Sequence, residues 1–432
     1  MTFRPTNQPA FRATFMQRRL YDVTERHPDQ AMRHVTAAFR FPAPLELDRL
    51  RAAVAVLMER HDALRMRFAL DDENLLRASD VGFEPADVDR VLSTHSSDGS
   101  DDEAARVALR HFNRRNDPPW RVVVSRRPDG DTLIVAIDHL VCDARSLRLI
   151  LDEFAAVYDG QSPPSASPRP FAGFLEEEEV EQDAAAQDEV AYWQARYHEF
   201  PKAYSIGLPF ATEGRADGLG TPAFEEYALD AGTTARMRER AGASRLSPFG
   251  AALTALNLCL APYADDGAIA ITGVLPNRRD GMYDQTVGSF AHTTAYVATK
   301  PEGHADFANY ATASRAAIIA TLRNSRLALF DLIGRLGVGG SLASGYGYGI
   351  YLDYLYAALD TSRLTLGEMP GIELRLDSGV NKSLSLWVVE RGSEVVLKAN
   401  FEAERFSRSG VRGFLEQFAG ALSGSEERAG RK

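Results

Sequence analysis

Two β-branched runs, Val122 to Ser125 and Thr132 to Ile137, flank a short segment that carries Asp129-Gly130. Runs of this kind around a tight-turn signal predict an antiparallel hairpin. Just beyond, Ala144 to Tyr158 carries Leu147, Ile150, Leu151, Phe154, Ala155 and Tyr158 at helical spacing, with Gly160 as a stop signal. A strand therefore ends near Asp138 and a helix begins near Ala144. Paired strands with an amphipathic helix packed back on them confine the chain to a mixed α and β architecture.

Similar signals recur along the chain. Leu45 to His61 places Leu50, Ala53, Val54, Leu57 and Met58 on one helical stripe. Ser247-Pro248 predicts an N-cap followed by proline at the first helical position, opening a largely buried helix. Phe307 to Leu322 predicts another helix, and Ala268 to Val274, Leu384 to Val389 and Glu394 to Asn400 predict strands. Gln161 to Pro170, with four prolines and three serines, marks a linker region. The acidic stretch from Glu176 to Tyr192-Trp193 reads as a solvated helix face. At 432 residues the chain has room for two or three domains. The division expected is an N-terminal lobe over 1–165, a linker over 166–185 and a C-terminal lobe over 186–432. The Gly- and Ser-rich stretch Gly334 to Gly349 lacks the Gly-Lys-Ser/Thr ending of a phosphate loop and reads as a mobile loop or cover over a cleft.

The net charge of -11 argues against nucleic acid or an anionic membrane as the main partner. The longest apolar run, Phe249 to Tyr263, falls short of the roughly 20 residues a membrane span needs, and Asn257 interrupts it. No signal-peptide pattern opens the chain. Two cysteines, Cys142 and Cys259, cannot make a disulfide framework or a cysteine-rich zinc site. No metal motif or Gly-x-Ser-x-Gly hydrolase motif occurs. A soluble, cytoplasmic, monomeric protein is expected.

The informative segment is Ile137-Asp138-His139-Leu140-Val141-Cys142-Asp143-Ala144-Arg145-Ser146. A histidine leaves the end of a buried strand, and four residues later an aspartate stands where a helix starts. Strand-end loops expose side chains whose base the sheet fixes. Histidine titrates nearest neutrality, so it can accept and return a proton. Asp143 is placed to cap the helix or pin the loop. Cys142 reads as a small buried hydrophobe, Arg145 as solvated or ion-paired, and His61 and His111 as structural.

This segment resembles the His-His-x-x-x-Asp-Gly motif of nonribosomal peptide synthetase condensation domains, relatives of chloramphenicol acetyltransferase. Other stretches are similar to the family in the same order: Gln17 to Tyr21, Arg60 to Phe68, Phe112-Asn113 ahead of Pro119 and Arg121, Tyr192-Trp193, Ser247 to Phe249, Val287 to Thr293, and Asn400 to Phe406. The resemblance implies two chloramphenicol-acetyltransferase-like lobes in an α/β (α+β) fold, forming a V-shaped pseudo-dimer with a tunnel between them.

It further implies that His139 is catalytic and that Asp138, Asp143 and Arg278 support the motif, with Asp143 and Arg278 forming an ion pair between lobes. Ala144, Ser146 and His292 are candidates to line the tunnel. Three positions depart from the family: Asp138 replaces the first histidine, Ala144 the glycine, and His292 an asparagine. The activity implied is that of a free-standing condensation enzyme in natural-product biosynthesis, including antibiotic biosynthesis. It would transfer an acyl or aminoacyl group from a carrier-protein thioester, supplied in trans, to an amine or hydroxyl on a small molecule or a second carrier. No metal or dissociable cofactor is expected, because a thioester is already activated. Competing readings are an acyl-CoA-dependent acyltransferase of the same fold, an epimerase, and a catalytically inactive recruitment module.

Overall fold

The computed structural model describes the chain except for residues 1–9, 27–33, 98–99, 164–166, 205, 213–220, 265–266, 279–280, 303–305, 337–349, 375, 377–383 and 426–432. Most of the Gly- and Ser-rich stretch expected to form a cover, residues 337–349, lies outside the described residues.

The described chain forms two compact units. One comprises Met1–Asp183, Pro276–Ala291 and Thr361–Ser378; the other comprises Ala184–Leu275, His292–Asp360 and Gly379–Lys432. Residues 276–291 and 361–378, which a simple division between 165 and 186 leaves in the C-terminal lobe, thus belong with the first unit. Residues 171–185, expected in the linker, are the first half of a 29-residue helix, Phe171–Glu199.

In the first unit a five-stranded sheet runs in the order Ile372–Glu373, His34–Phe41, Gly130–Asp138, Trp120–Arg127 and Leu92–Ser96. The expected hairpin is its centre: Trp120–Arg127 and Gly130–Asp138 pair antiparallel, with Trp120 opposite Ile137. Gly130 closes the turn at φ 130°, and a Cβ there would lie 2.1 Å from the Phe41 carbonyl oxygen, so only glycine fits. Every residue of Gly130–Asp138 is buried, because both faces of the sheet are covered. On one face Val122, Val124, Leu133, Val135 and Ile137 join a core with residues of the helices Leu47–Arg60 and Ala144–Tyr158. On the other, Val123, Ile134 and Ala136 meet Ala104 and Ala108 of the helix Asp102–Leu109. The strict alternation follows from the period of two along a strand. Burying each large aliphatic side chain stabilises the fold by about 1.5–3 kcal/mol before chain entropy is counted.

The second unit holds a six-stranded sheet ordered His292–Thr299, Ala268–Leu275, Ile350–Leu355, Leu384–Arg391, Glu394–Glu402 and Pro222–Leu229. Ile350–Leu355 runs parallel to both neighbours, and the other pairings are antiparallel. The helix Pro248–Leu260 starts as its sequence predicts, with the Ser247 hydroxyl accepting from the Gly250 amide at 3.1 Å and proline in the first turn. Ten of its thirteen residues are buried, which makes it a core helix rather than an amphipathic one. No single helix among the described residues is long and apolar enough to cross a membrane.

Candidate active site

The motif loop leaves the central strand at Asp138 and enters the helix Ala144–Tyr158 at Asp143. His139 is half-buried between these two buried carboxylates. Each end of the loop is pinned by its own arginine, and both pins lie within the first unit.

At the helix end, Asp143 is the N-cap, and its Oδ1 accepts from the Ser146 amide at 2.8 Å. The same oxygen accepts from Arg278 Nη2 at 2.8 Å, while Oδ2 accepts from the Phe290 amide at 3.3 Å. Arg278 Nη1 donates to the carbonyls of Tyr283 and Thr286, at 2.6 and 2.8 Å, and its guanidinium lies 4.2 Å from the centre of the Phe290 ring. Ser146 completes the stitch. Its hydroxyl donates to the Gly288 carbonyl at 2.7 Å and accepts from the Gly288 amide at 3.0 Å and from Arg278 Nη2 at 2.9 Å.

Arg278, Gly288 and Phe290 are thereby sewn to the motif helix. Gly288 is obligatory at this seam, since a Cβ there would lie 2.3 Å from the Phe171 ring. Phe171, Phe174, Tyr283 and Phe290 close the seam with edge-on and stacked contacts.

The ion pair expected between Asp143 and Arg278 is therefore present, at 2.8 Å. Its expected placement between lobes is corrected: both partners belong to the same compact unit. The physical reason is that backbone groups of Asp284, Gly288 and Phe290 bond to Arg145, Ser146 and Asp143 of the motif helix and its cap.

At the strand end, Asp138 is buried, and its Oδ2 accepts from Arg114 Nε at 2.7 Å. Its Oδ1 accepts from the Leu140 amide at 3.0 Å, and its own amide donates to the Pro119 carbonyl at 2.7 Å. Gln17, fully buried, donates to the Leu140 carbonyl at 2.6 Å. Arg114 was not singled out by the sequence. A buried carboxylate in place of a histidine needs a buried cation, and that requirement was the available signal.

The other expected site residues are distributed as follows. Ala144 occupies the first helical position, is exposed, and is not among the residues with positive φ, so its Cβ fits an ordinary helix start. Ser146 is fully buried and serves the seam. His292 opens an edge strand of the second unit, opposite Leu275, and is buried there. Cys142 is fully buried, and burial pushes its thiol well above the usual range, with the Asp143 charge adding to the shift. That suits a packing role and not a nucleophile. Among the described residues no group of three or more His, Cys, Asp or Glu is placed to hold a metal ion.

Comparison with known proteins decides the family. The Condensation domain model matches residues 7–425. The chain belongs to the condensation-domain family. It is 25% identical over 417 residues to the hybrid PKS-NRPS synthetase iliA of Neonectria sp. (strain DH2), covering 94% of this chain and 10% of that protein. The chain thus spans about a tenth of the length of curated relatives it matches. Among solved structures it shares the fold of the first condensation domain of the calcium-dependent antibiotic synthetase, determined in complex with a substrate analogue. The TM-score is 0.74 at 17% identity, covering 96% of each chain. It shares the fold equally with the teicoplanin X-domain, determined in complex with OxyB. There the TM-score is 0.77 at 19% identity, over 99% of this chain and 95% of the other. The mixed α and β, chloramphenicol-acetyltransferase-like fold of condensation domains is accordingly the fold of this chain.

Proposed function

We propose that this condensation domain transfers an acyl or aminoacyl group from a carrier-protein thioester to an amine or hydroxyl, with His139 as the reacting side chain. The observation that carries this reading is the double pinning of the motif loop. His139 stands at the end of a fully buried strand, between two buried carboxylate–guanidinium pairs. Preorganising one imidazole in this way is what proton transfer at a fixed point requires.

In the reaction the acceptor nitrogen or oxygen attacks the thioester carbonyl, the new C–N or C–O bond forms and the C–S bond breaks. His139 takes the proton released by the nucleophile and returns one to the departing thiolate, or stabilises charge as it develops. A thioester is activated already, so the chemistry calls for no metal or dissociable cofactor.

A carrier-borne donor is favoured over coenzyme A by the state of the arginines in the first turns of the motif helix. Arg145 is 3.2 Å from Asp284 and Arg148 is 2.6 Å from Asp152. Both are already paired, whereas a nucleotide 3′-phosphate generally calls for several available basic side chains. The test is to supply one acyl group on a separately purified carrier and on coenzyme A at matched acceptor concentration. A much higher kcat/KM with the carrier is expected, and equal or better efficiency with coenzyme A overturns that part of the reading. In the same assay His139→Ala is expected to lower single-turnover transfer roughly 100-fold or more with its Tm unchanged. A folded His139→Ala protein that transfers at the wild-type rate removes His139 from the mechanism.

A second reading, a recruitment module without catalysis, draws on the Asp138 and Ala144 departures. Transfer by the wild-type chain that His139→Ala abolishes excludes it.

A further inference from the structure

We infer that Arg114 is a positioning residue for His139, acting through Asp138, and that the aspartate at the first motif position is half of a matched buried pair. The inference rests on the reading of His139 as the reacting group. Asp138 and Arg114 have side chains only 1% and 4% exposed. Removing two charges from water is expensive, and a buried pair rarely adds net stability over apolar residues of the same shape. Where such a pair occurs, its geometry is its most evident product.

That geometry is directed at one residue. The Asp138 amide is tied to Pro119, and its carboxylate turns back to accept from the Leu140 amide while Arg114 holds its other oxygen. The Leu140 carbonyl is tied to Gln17. Both neighbours of His139 are thus fixed, and the imidazole is the side chain carried between them. Arg114 is itself aimed by Glu25, which accepts from Nη1 at 2.9 Å, and its guanidinium lies 5.6 Å from the centre of the Tyr21 ring. A chain of contacts therefore runs from the helix Phe15–Arg26 through Arg114 and Asp138 to the backbone on either side of His139.

The consequence is non-additivity. Asp138→Asn keeps an acceptor for Leu140 but leaves buried Arg114 with only the more exposed Glu25 as a carboxylate partner, and Arg114→Met leaves Asp138 buried without its cation. The double variant buries neither charge and keeps the Leu140 hydrogen bond. Each single variant is expected to lower kcat by about 10- to 100-fold, the scale of a misplacement near 1 Å, with KM for donor and acceptor little changed. The double variant is expected to recover most of that loss.

The deciding experiment combines these rates, Tm values and ring resonances of protein carrying isotope-labelled histidine. The chain has nine histidines, and the His139 signal is assigned by its loss in His139→Ala. In each single variant that signal is expected to move, and in the double variant to return toward its wild-type position. An unmoved His139 resonance in both single variants overturns the inference. So does a double variant no better than the singles, or a loss of activity that only follows the fraction unfolded. If the wild-type chain transfers nothing from any donor, the functional reading fails, and the resonances alone still decide whether Arg114 positions His139.

Discussion

Among the described residues the first unit buries four arginines, Arg67, Arg114, Arg121 and Arg278, whereas the second buries no arginine or lysine. Arg67 and Arg121 are turned onto backbone carbonyls, and burial pulls each guanidinium down to about 10. Arg114 and Arg278 face the two carboxylates that bracket His139. The second unit buries the carboxyl residues Glu189, Asp331 and Glu402 but, among the described residues, no arginine or lysine with them, and its helix Pro248–Leu260 lies among leucines, alanines and aromatic rings. Burying charge is an unfavourable way to add stability but an effective way to fix direction. Two arginine–carboxylate pairs with both partners buried, Arg114–Asp138 and Arg278–Asp143, lie at the two ends of one loop of the first unit, and that is where direction is fixed.

The largest expected effect comes from breaking the pin on the helix side. Asp143→Ala removes the N-cap, the acceptor for the Phe290 amide and the partner of buried Arg278 in one step. An uncompensated buried charge costs about 3–5 kcal/mol, and a lost cap about 1 kcal/mol more. A clear fall in Tm and in denaturant midpoint is expected together with loss of transfer. An unchanged Tm shows that the seam between residues 278–290 and the motif helix is not held by charge.

The second effect is intermediate and depends on pH. Glu153 on the motif helix accepts from His61 Nε2 at 2.9 Å and from Arg60 Nε at 3.2 Å. Burial pushes the Glu153 carboxyl up, but the hydrogen bond and charge of His61 and the Arg60 guanidinium outweigh it and hold the group below its ordinary value of 4.5. A depressed carboxyl contributes stability that is complete above its unfolded value and is lost as pH falls through its folded value. Glu153→Gln is expected to destabilise by about 1–3 kcal/mol at neutral pH. The gap between variant and wild type should narrow below about pH 4. Chemical denaturation at several pH values measures it, and a gap that stays constant down to pH 3 contradicts the assignment.

These contrasts also explain what a reader of the sequence meets. The hairpin, the motif helix and the helix after Ser247 are legible because alternation, helical spacing and caps are local signals. His139, Asp143 and Arg278 stand out through motif order. The start of the helix Phe171–Glu199 is not legible, since its first amides donate to Asp62 at 2.9 Å, a partner 109 residues away. Arg114 is hidden for the same reason. Its role depends on Asp138, 24 residues on, and no periodicity couples the two. The membership of residues 276–291 in the first unit rests likewise on Ser146 and Gly288 meeting across 142 residues of chain. Local order was readable, the Asp143–Arg278 pair followed from motif order, and the Arg114–Asp138 pair was not readable.

The smallest expected effect sharpens the comparison from the other side. In the second unit Asn257 and Ser314 are fully buried, and Asn257 Nδ2 donates to the Ser314 hydroxyl at 3.1 Å. This pair is neutral, so replacing both partners with apolar groups of similar shape leaves no charge stranded. Asn257→Leu combined with Ser314→Ala is expected to shift stability by no more than about 1 kcal/mol in either direction. Each single change, by contrast, leaves one buried polar group without its partner and is expected to cost more than the double. Transfer activity should stay near wild type in the double variant. If that variant instead loses activity as Asp143→Ala does, at unchanged Tm, directional control extends into the second unit and the division drawn from the buried arginines is wrong.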